Sequence, residues 1–530
     1  MKILFFILIH CLSFSQAPSI LWQNKIGGIN DDFYNNSDVT IDDGLIIGGR
    51  STSNISGDKT ENSKGGSDYW IVKINHLGNV VWDKTIGGGN PNFYEDDVFT
   101  CLKSTLDGGY IIGGHSDSPI SGDKTIDSFD NSDDFWILKL NEFGIIQWQK
   151  VFGGSLVDVP TAIKNTFDNG FVIVGYSDSN ISGNKTENSK GLIDIWILKL
   201  DSLGNIVWQK TIGGTGFDSA NCVVQTNDGG FLIGGDSTSN ISGDKTEDSR
   251  GLRDFWIVKI NSLGDLQWQK TIGGNNVDYL LNIISKNNNF VLIGSSKSNI
   301  SGEKLENSRG GYDCWIMEID SLGTILWQKT IGGNGDDYFG NIISTNDSNY
   351  IISGSSSSNI SAEKTEDSKG GFDAWILKID SFGNILWQKT IGGSDLDGLE
   401  IIDQPNDNSF LLSGSSNSFV SGEITENPIG GSDYWVLKLE PENLSNQENN
   451  SFSNIQIYPN PNNGILNIDF GGFQETISIS ITNVLGQLIS KYNFNQISEK
   501  QIQLSEPNGI YFLEIRNEKN EKKVFKILKQ

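Results

Sequence analysis

Short runs of β-branched and aromatic residues recur along residues 16–440, each closed by Gly, Asn or Asp. Such runs read as strands joined by tight turns. One copy shows the pattern. Residues 205–212 (NIVWQKTI) form a strand that ends at Gly213-Gly214, and residues 221–226 (NCVVQT) form another. The turn Asn227-Asp-Gly-Gly230 supplies residues that tolerate positive φ. Residues 231–236 make a third strand, a polar loop runs from Ser237 to Gly251, and residues 254–260 (DFWIVKI) make a fourth. Ser262-Leu-Gly-Asp265 then turns into the next copy. No stretch carries the 3.6-residue apolar period of a helix, so the fold class is all-β.

The tryptophans set the period. One register holds Trp22, Trp82, Trp148, Trp208, Trp268, Trp327 and Trp387; the other holds Trp70, Trp136, Trp196, Trp256, Trp315, Trp375 and Trp435. Steps within each register are 60 residues, apart from one of 66 and one of 59. A fixed period of this size marks a solenoid, propeller or array. Four strands in each of seven copies predict a seven-bladed β-propeller. The chain opens on a lone Trp22 strand and leaves the Trp435 strand without its hairpin partner, so the first strand is expected to complete the last blade and leave no open edge. An open solenoid would need capping elements. The tryptophans lie between apolar neighbours and are expected to be core residues.

A Gly pair closing the second strand of a blade (Gly48-Gly49, Gly113-Gly114, Gly234-Gly235), a variable loop, then aromatic strands: this order resembles kelch-type propellers in topology alone. It implies that the loops after even strands share one face. Three polar features fall on that face. One Asp opens each first strand (Asp32, Asp97, Asp158, Asp218, Asp278, Asp337, Asp397), and another stands two residues before each second-register Trp (Asp68, Asp134, Asp194, Asp254, Asp313, Asp373, Asp433). The third is the loop Ser53–Ser63 and its variants. Asp and Ser recurring in every copy are expected to close local turns on backbone N–H groups. The alternative is Ca²⁺, which takes six to eight oxygens, with Asp58 and Glu61, or Asp244, Glu247 and Asp248, as candidate ligands. These loops lack alternating D-x-D-x-D spacing and carry Lys59 or Lys245 among the carboxylates. No other cofactor is expected.

The formal charge is −27, yet residues 453–530 hold seven acidic and eight basic side chains, so the acidity belongs to the repeats. An anionic surface argues against nucleic-acid binding. Residues 1–15 read as a signal peptide, with Lys2, an apolar run from Ile3 to Leu12 and Ser13-Phe14-Ser15 as the cleavage region; no later stretch reaches the ~20 apolar residues of a membrane helix. Cys101, Cys222 and Cys314 occupy different repeat positions and give no disulfide framework. No G-x-S-x-G, H-E-x-x-H or clustered metal spacing appears. The irregular copy is the second, with an insertion at residues 90–95 and a divergent loop at Ile126–Ser132.

Residues 441–452 form a polar linker, and 453–530 read as a small β-sandwich. The segment carries Tyr458-Pro-Asn-Pro461 with Gly464, Asn483-Val-Leu-Gly-Gln487, Gly509-Ile-Tyr511 and a lysine-rich last strand. It resembles the C-terminal sorting domain of the type IX secretion system of Bacteroidetes. That resemblance implies export across both membranes, a partnership with the type IX machinery, and a secreted or surface-displayed product. The expected function is a binding or adhesion module with an extracellular glycan or protein ligand. The alternative is a glycan-degrading hydrolase or lyase on the same scaffold; sevenfold regularity favours binding over catalysis.

Overall fold

The computed structural model describes residues 17–89, 96–405, 407–442, 455–483, 487–517 and 522–530. The expected signal peptide, the second-copy insertion and most of the linker lie outside them. Two compact units result, Met1–Glu442 and Asn443–Gln530.

The first unit consists of four-stranded antiparallel sheets, seven in number. Sheet 1 comprises Asp32–Val39, Leu45–Ser51, Asp68–Ile74 and Val80–Ile86. Sheets 2 to 6 repeat this order, beginning at Asp97, Asp158, Asp218, Asp278 and Asp337. Sheet 7 has three consecutive strands, Asp397–Asp403, Phe410–Ser416 and Asp433–Leu439, and takes Ile20–Ile26 as its fourth. In that pairing Lys25 lies opposite Trp435 and Gln23 opposite Leu437. These repeated four-stranded antiparallel sheets are consistent with a propeller. Among the described residues the one helical turn is Phe129–Asn131, inside the divergent loop of sheet 2.

The third strand of each sheet is apolar on both sides because it is covered on both faces by neighbouring sheets. Trp70, Trp136, Trp196, Trp256, Trp315, Trp375 and Trp435 are fully buried there. Each joins a cluster with residues of the preceding sheet, as Trp256 does with Val174, Ile195 and Ile197. The cluster around Trp70 holds Ile26, Leu411 and Tyr434, so sheets 1 and 7 pack on one another, and the Tyr434 hydroxyl donates to the Trp70 carbonyl at 3.0 Å.

The other tryptophan register behaves differently from the expectation. Of the seven, Trp387 is fully buried; Trp22, Trp82, Trp148, Trp208, Trp268 and Trp327 are half-buried. Each of those six lies against the glycine of the outer turn on the next sheet. Gly264, at φ +86°, would place a Cβ 3.0 Å from the Trp208 ring, and the Trp208 indole N–H donates to the Ser262 carbonyl at 3.1 Å. The fourth strand is the outermost, with a sheet partner on one side only, so its Trp serves as a clamp between neighbouring turns.

In the second unit all strands join one five-stranded antiparallel sheet rather than two separate sheets. Its long strands, Ile465–Asn483 and Leu488–Gln503, pair with a register shift between Asp469 and Gln474. Leu466 and Ile468 before that shift and Ile477, Ile479 and Ile481 after it share one buried cluster. Strands of this length can supply both layers of a small core, which a reading of separate short strands misses.

Candidate functional site

The two recurring Asp sets and the long loops meet at one end of the sheets. Strand register explains why: Asp218 pairs with Ser237, and Ser237 with Asp254, so the first and third strands carry the two carboxylates to the same edge, on either side of Ser237. In sheet 4, Asp218 Oδ2 accepts the Gly214 N–H at 2.6 Å and the Ser239 hydroxyl at 2.8 Å. Asp254 Oδ2 accepts the Arg250 N–H at 2.5 Å. Gly213 must be glycine, since a Cβ there would fall 1.7 Å from Asp194 Oδ1 of the sheet before. The carboxylates thus hold the crossover between consecutive sheets.

Their counter-charge is a lysine of the chain. Lys245 is 2 % exposed. Its ammonium donates to the Thr271 hydroxyl at 3.0 Å, lies over the Trp256 ring at 5.7 Å, and is under the electrostatic influence of Asp218 and Asp254. Lys59, Lys124, Lys185, Lys304 and Lys364 are buried at the same position beside their own Asp pairs. Burial dominates the titration of the group. Desolvation lowers Lys59, Lys245, Lys304 and Lys364 to about 8, and raises Asp134 to about 8 and Asp313 to about 7.

Sheet 7 breaks this pattern and repairs it. Ile424 takes the lysine position, buried at 2 % exposure. Lys25, on the N-terminal strand, stands where the other fourth strands carry Thr85, Val151, Thr211, Thr271, Thr330 or Thr390. Its ammonium donates to the Ser418 carbonyl at 2.5 Å, the acceptor that Lys124 and Lys185 use as Ser118 and Ser179 at 2.7 Å. Asp397 and Asp433 are its electrostatic partners. The rest of the network also re-forms between the chain ends. The Trp435 indole donates to Gln23 Oε1 at 3.1 Å, as Trp136 does to Gln149, and Gln23 Nε2 donates to the Glu423 carbonyl at 2.6 Å.

The calcium candidates are engaged separately and do not converge. Asp58 accepts the Gly27 N–H, and Glu61 takes Lys84 and the Thr85 N–H. Asp244 takes Lys190 and the Gly213 N–H, Glu247 takes the Thr271 N–H, and Asp248 takes the Ile241 N–H. Among the described residues no group of three or more His, Cys, Asp or Glu could hold a metal ion. The loop lysines, read from the sequence as intruders in a cation site, supply that positive charge themselves. Cys101, Cys222 and Cys314 are buried free thiols.

The sheets differ from one another along their first strands and at the loop ends. A cavity of about 360 Å³ is lined from all seven sheets, among others by Asn36, Leu102, Lys164, Asn221, Asn282, Asn341 and Glu400. Hydrogen bonds run from first strand to first strand around it: Thr100 to the Pro160 carbonyl at 2.6 Å, Thr161 to Ala220 at 2.7 Å, Asn221 to Leu280 at 2.8 Å and Tyr34 to Glu400 at 3.2 Å. Desolvation raises Glu400 to about 7. At the loop end a second cavity, about 540 Å³, opens over sheet 7 between Phe33, Tyr338, Phe372 and Leu396, above Gly398 and Ser415. Sequence reading missed both. For the second, the signal was available as the positions next to each recurring Asp, where the residue type changes from copy to copy.

Comparison with known proteins adds one identification. The chain shares 22% identity over 281 residues with the regulatory protein FlaEY of Caulobacter vibrioides, covering 47% of this chain and 29% of that protein; the match thus spans less than a third of that relative. Structural likeness is distant. Kuenenia stuttgartiensis hydrazine synthase gives a TM-score of 0.41 at 10% identity, covering 73% of this chain and 93% of that one. Sqt1 from Chaetomium thermophilum gives 0.39 at 11%, covering 79% and 100%. Likeness at this level carries no functional argument. No helix among the described residues is long and apolar enough to cross a membrane. Residues 456–530 match the secretion system C-terminal sorting domain family, and with that type IX tail the chain is a secreted or cell-surface protein.

Proposed function

We propose that residues 16–440 form a closed seven-bladed propeller that acts as a binding or adhesion module, delivered by the sorting domain through a type IX pathway after removal of residues 1–15. Closure is supported by the cavity that all seven sheets line and by the exchange of Lys25 for the lysine missing at Ile424. Binding is supported chiefly by a division of labour. The recurring carboxylates hold sheet crossovers through Oδ2, whereas the residues that vary between copies gather around the loop-end cleft. The loop end is the binding face.

Among the described residues the three thiols, Cys101, Cys222 and Cys314, are buried, which permits selective labelling elsewhere on the mature chain. Leu396 at the cleft is 49% exposed, and Leu322 on an opposite-end turn is 69% exposed. The full chain carrying Leu396→Cys or Leu322→Cys, each coupled to polyethylene glycol, is applied to immobilised glycans and matrix proteins. Capture is expected to be lost with the polymer at 396 and kept with it at 322. Equal capture by both conjugates, or none by the parent, contradicts the reading.

A further inference from the structure

The cleft over sheet 7 exists because that copy of the repeat carries Gly and Ser there while its neighbours carry rings. The residue following the first Asp of each sheet is Phe33, Val98, Val159, Ser219, Tyr279, Tyr338 and Gly398 in turn. The residue preceding the other Asp is Ser67, Asp133, Ile193, Arg253, Tyr312, Phe372 and Ser432. Sheet 7 therefore presents Gly and Ser between the aromatic residues of sheet 6 and Phe33 of sheet 1. Gly398 keeps the floor low; a Cβ there would stand 3.1 Å from the Ser355 hydroxyl.

The rings form a continuous surface on one side. Tyr279, Tyr312, Tyr338 and Phe372 follow one another with centroids 6.0, 5.1 and 5.8 Å apart. Tyr338, at 37% exposed, and Phe33, at 40%, present their surfaces at the cleft. The floor and ends are polar: Ser355, Ser415, Ser432 and Asn417 line the cavity. Among the described residues these three hydroxyls and the Asn417 amide make no side-chain hydrogen bond within the protein, so their capacity is open to a ligand. Asp31 at the rim accepts the Ser432 N–H through Oδ1 at 2.9 Å.

Aromatic walls over unpaired hydroxyls and an amide suit a molecule with apolar faces and hydroxylated edges. A volume of about 540 Å³ lies within the roughly 300–1,000 Å³ of small-molecule sites. Other ligand classes fit less well. Arg50 already stands over the Phe33 ring at 4.9 Å, which opposes a cationic ligand. The charge of −27 opposes polyanions, and a lipid chain would leave the polar floor unpaired at a cost.

We infer that this cleft is a saccharide site, in which a neutral pyranose ring lies between Phe33 and Tyr338 with its hydroxyls on Ser355, Ser415 and Asn417. The assignment rests on the loop end being the binding face, and names its ligand class.

The test is calorimetric titration of the full chain with neutral gluco-, manno-, xylo- and chito-oligosaccharides, and with choline. At least one oligosaccharide series is expected to bind. Tyr338→Ala and Phe33→Ala should each weaken it about tenfold, a loss of about one aromatic contact, with unchanged thermal midpoints. Gly398→Leu should abolish it by filling the floor. Absence of saccharide binding, binding indifferent to both aromatic substitutions, or binding of choline alone would overturn the assignment. If matrix-protein capture persists in the parent while saccharides fail, this assignment falls and the broader reading stands; loss of both removes both.

Discussion

Sheets 1 to 6 are each continuous in sequence, whereas sheet 7 is assembled from strands about four hundred residues apart, and the same buried network is built in both. In the continuous sheets the long loop provides the lysine and the fourth strand provides Thr, or Val151 in sheet 2. In sheet 7 the loop provides Ile424 and the fourth strand provides Lys25. The charge has changed donors and kept its place beside two carboxylates. A buried lysine left without partners, or a buried Asp pair left without a lysine, is costly, so an exchange across the chain ends is what a physically required site would permit. The site's requirement is the charge, and the strand that carries it is free to change.

The largest effect is expected from removing the assembled strand altogether. Deletion of residues 16–28 exposes the edge of Asp433–Leu439 and uncovers Trp435 and Val436. The shortened chain should lose cooperative unfolding and aggregate. A melt like that of the parent would show that sheet 7 does not depend on the N-terminal strand.

Next in size is the contrast between tryptophan registers. Trp256→Ala empties a fully buried position between sheets 3 and 4 and should cost about 3–5 kcal/mol. Trp208→Ala removes a half-buried clamp and should cost clearly less by the same denaturant titration. Equal losses would return both registers to a common core role.

A smaller effect concerns pH. Asp134 is raised to about 8 by desolvation, with the Phe129 N–H bond opposing the shift. The folded state then holds a proton that the unfolded state releases near pH 4, so this group lowers stability as pH rises from about 4 towards 8. Asp134→Asn should flatten that decline in thermal midpoint between pH 5 and pH 8. Lysines lowered to about 8 act in the opposite direction above that pH. An unchanged profile in Asp134→Asn would mean that its carboxylate is charged when folded.

Much of the architecture was legible because a repeat writes each rule several times. Strand order, turn residues and the expected pairing of the first strand with the Trp435 strand came from spacing and from Gly, Asn and Asp alone. Lone copies were less legible. Trp208 and Trp256 look alike in sequence, since both are flanked by apolar residues, and only their distance from the sheet edge distinguishes clamp from core. The lysine of Ser-Gly-Asp-Lys-Thr read only as a charge out of place in a cation site, because a buried ammonium is recognisable only from what surrounds it. Gly398 and Ser432 differ from the residues beside the recurring Asp in other copies, but the cleft is visible only from what they lack beside Phe33 and Tyr338, which are distant in sequence. In the sorting domain, the motifs located the family, while the joining of its strands into one sheet depends on strand length that turn residues do not reveal.

The exchange between Lys25 and Ile424 tests the central claim of closure most directly. Lys25→Thr should destabilise by about 3 kcal/mol, by stranding Asp397 and Asp433, and Ile424→Lys should destabilise by placing a further charge beside them. The double variant Lys25→Thr/Ile424→Lys restores the arrangement of the other sheets. Chemical denaturation of the four proteins as a double-mutant cycle is predicted to return the double variant close to the parent, with a large favourable coupling between residues 25 and 424. A double variant as unstable as the sum of its singles would contradict a shared buried site and, with it, the closed ring.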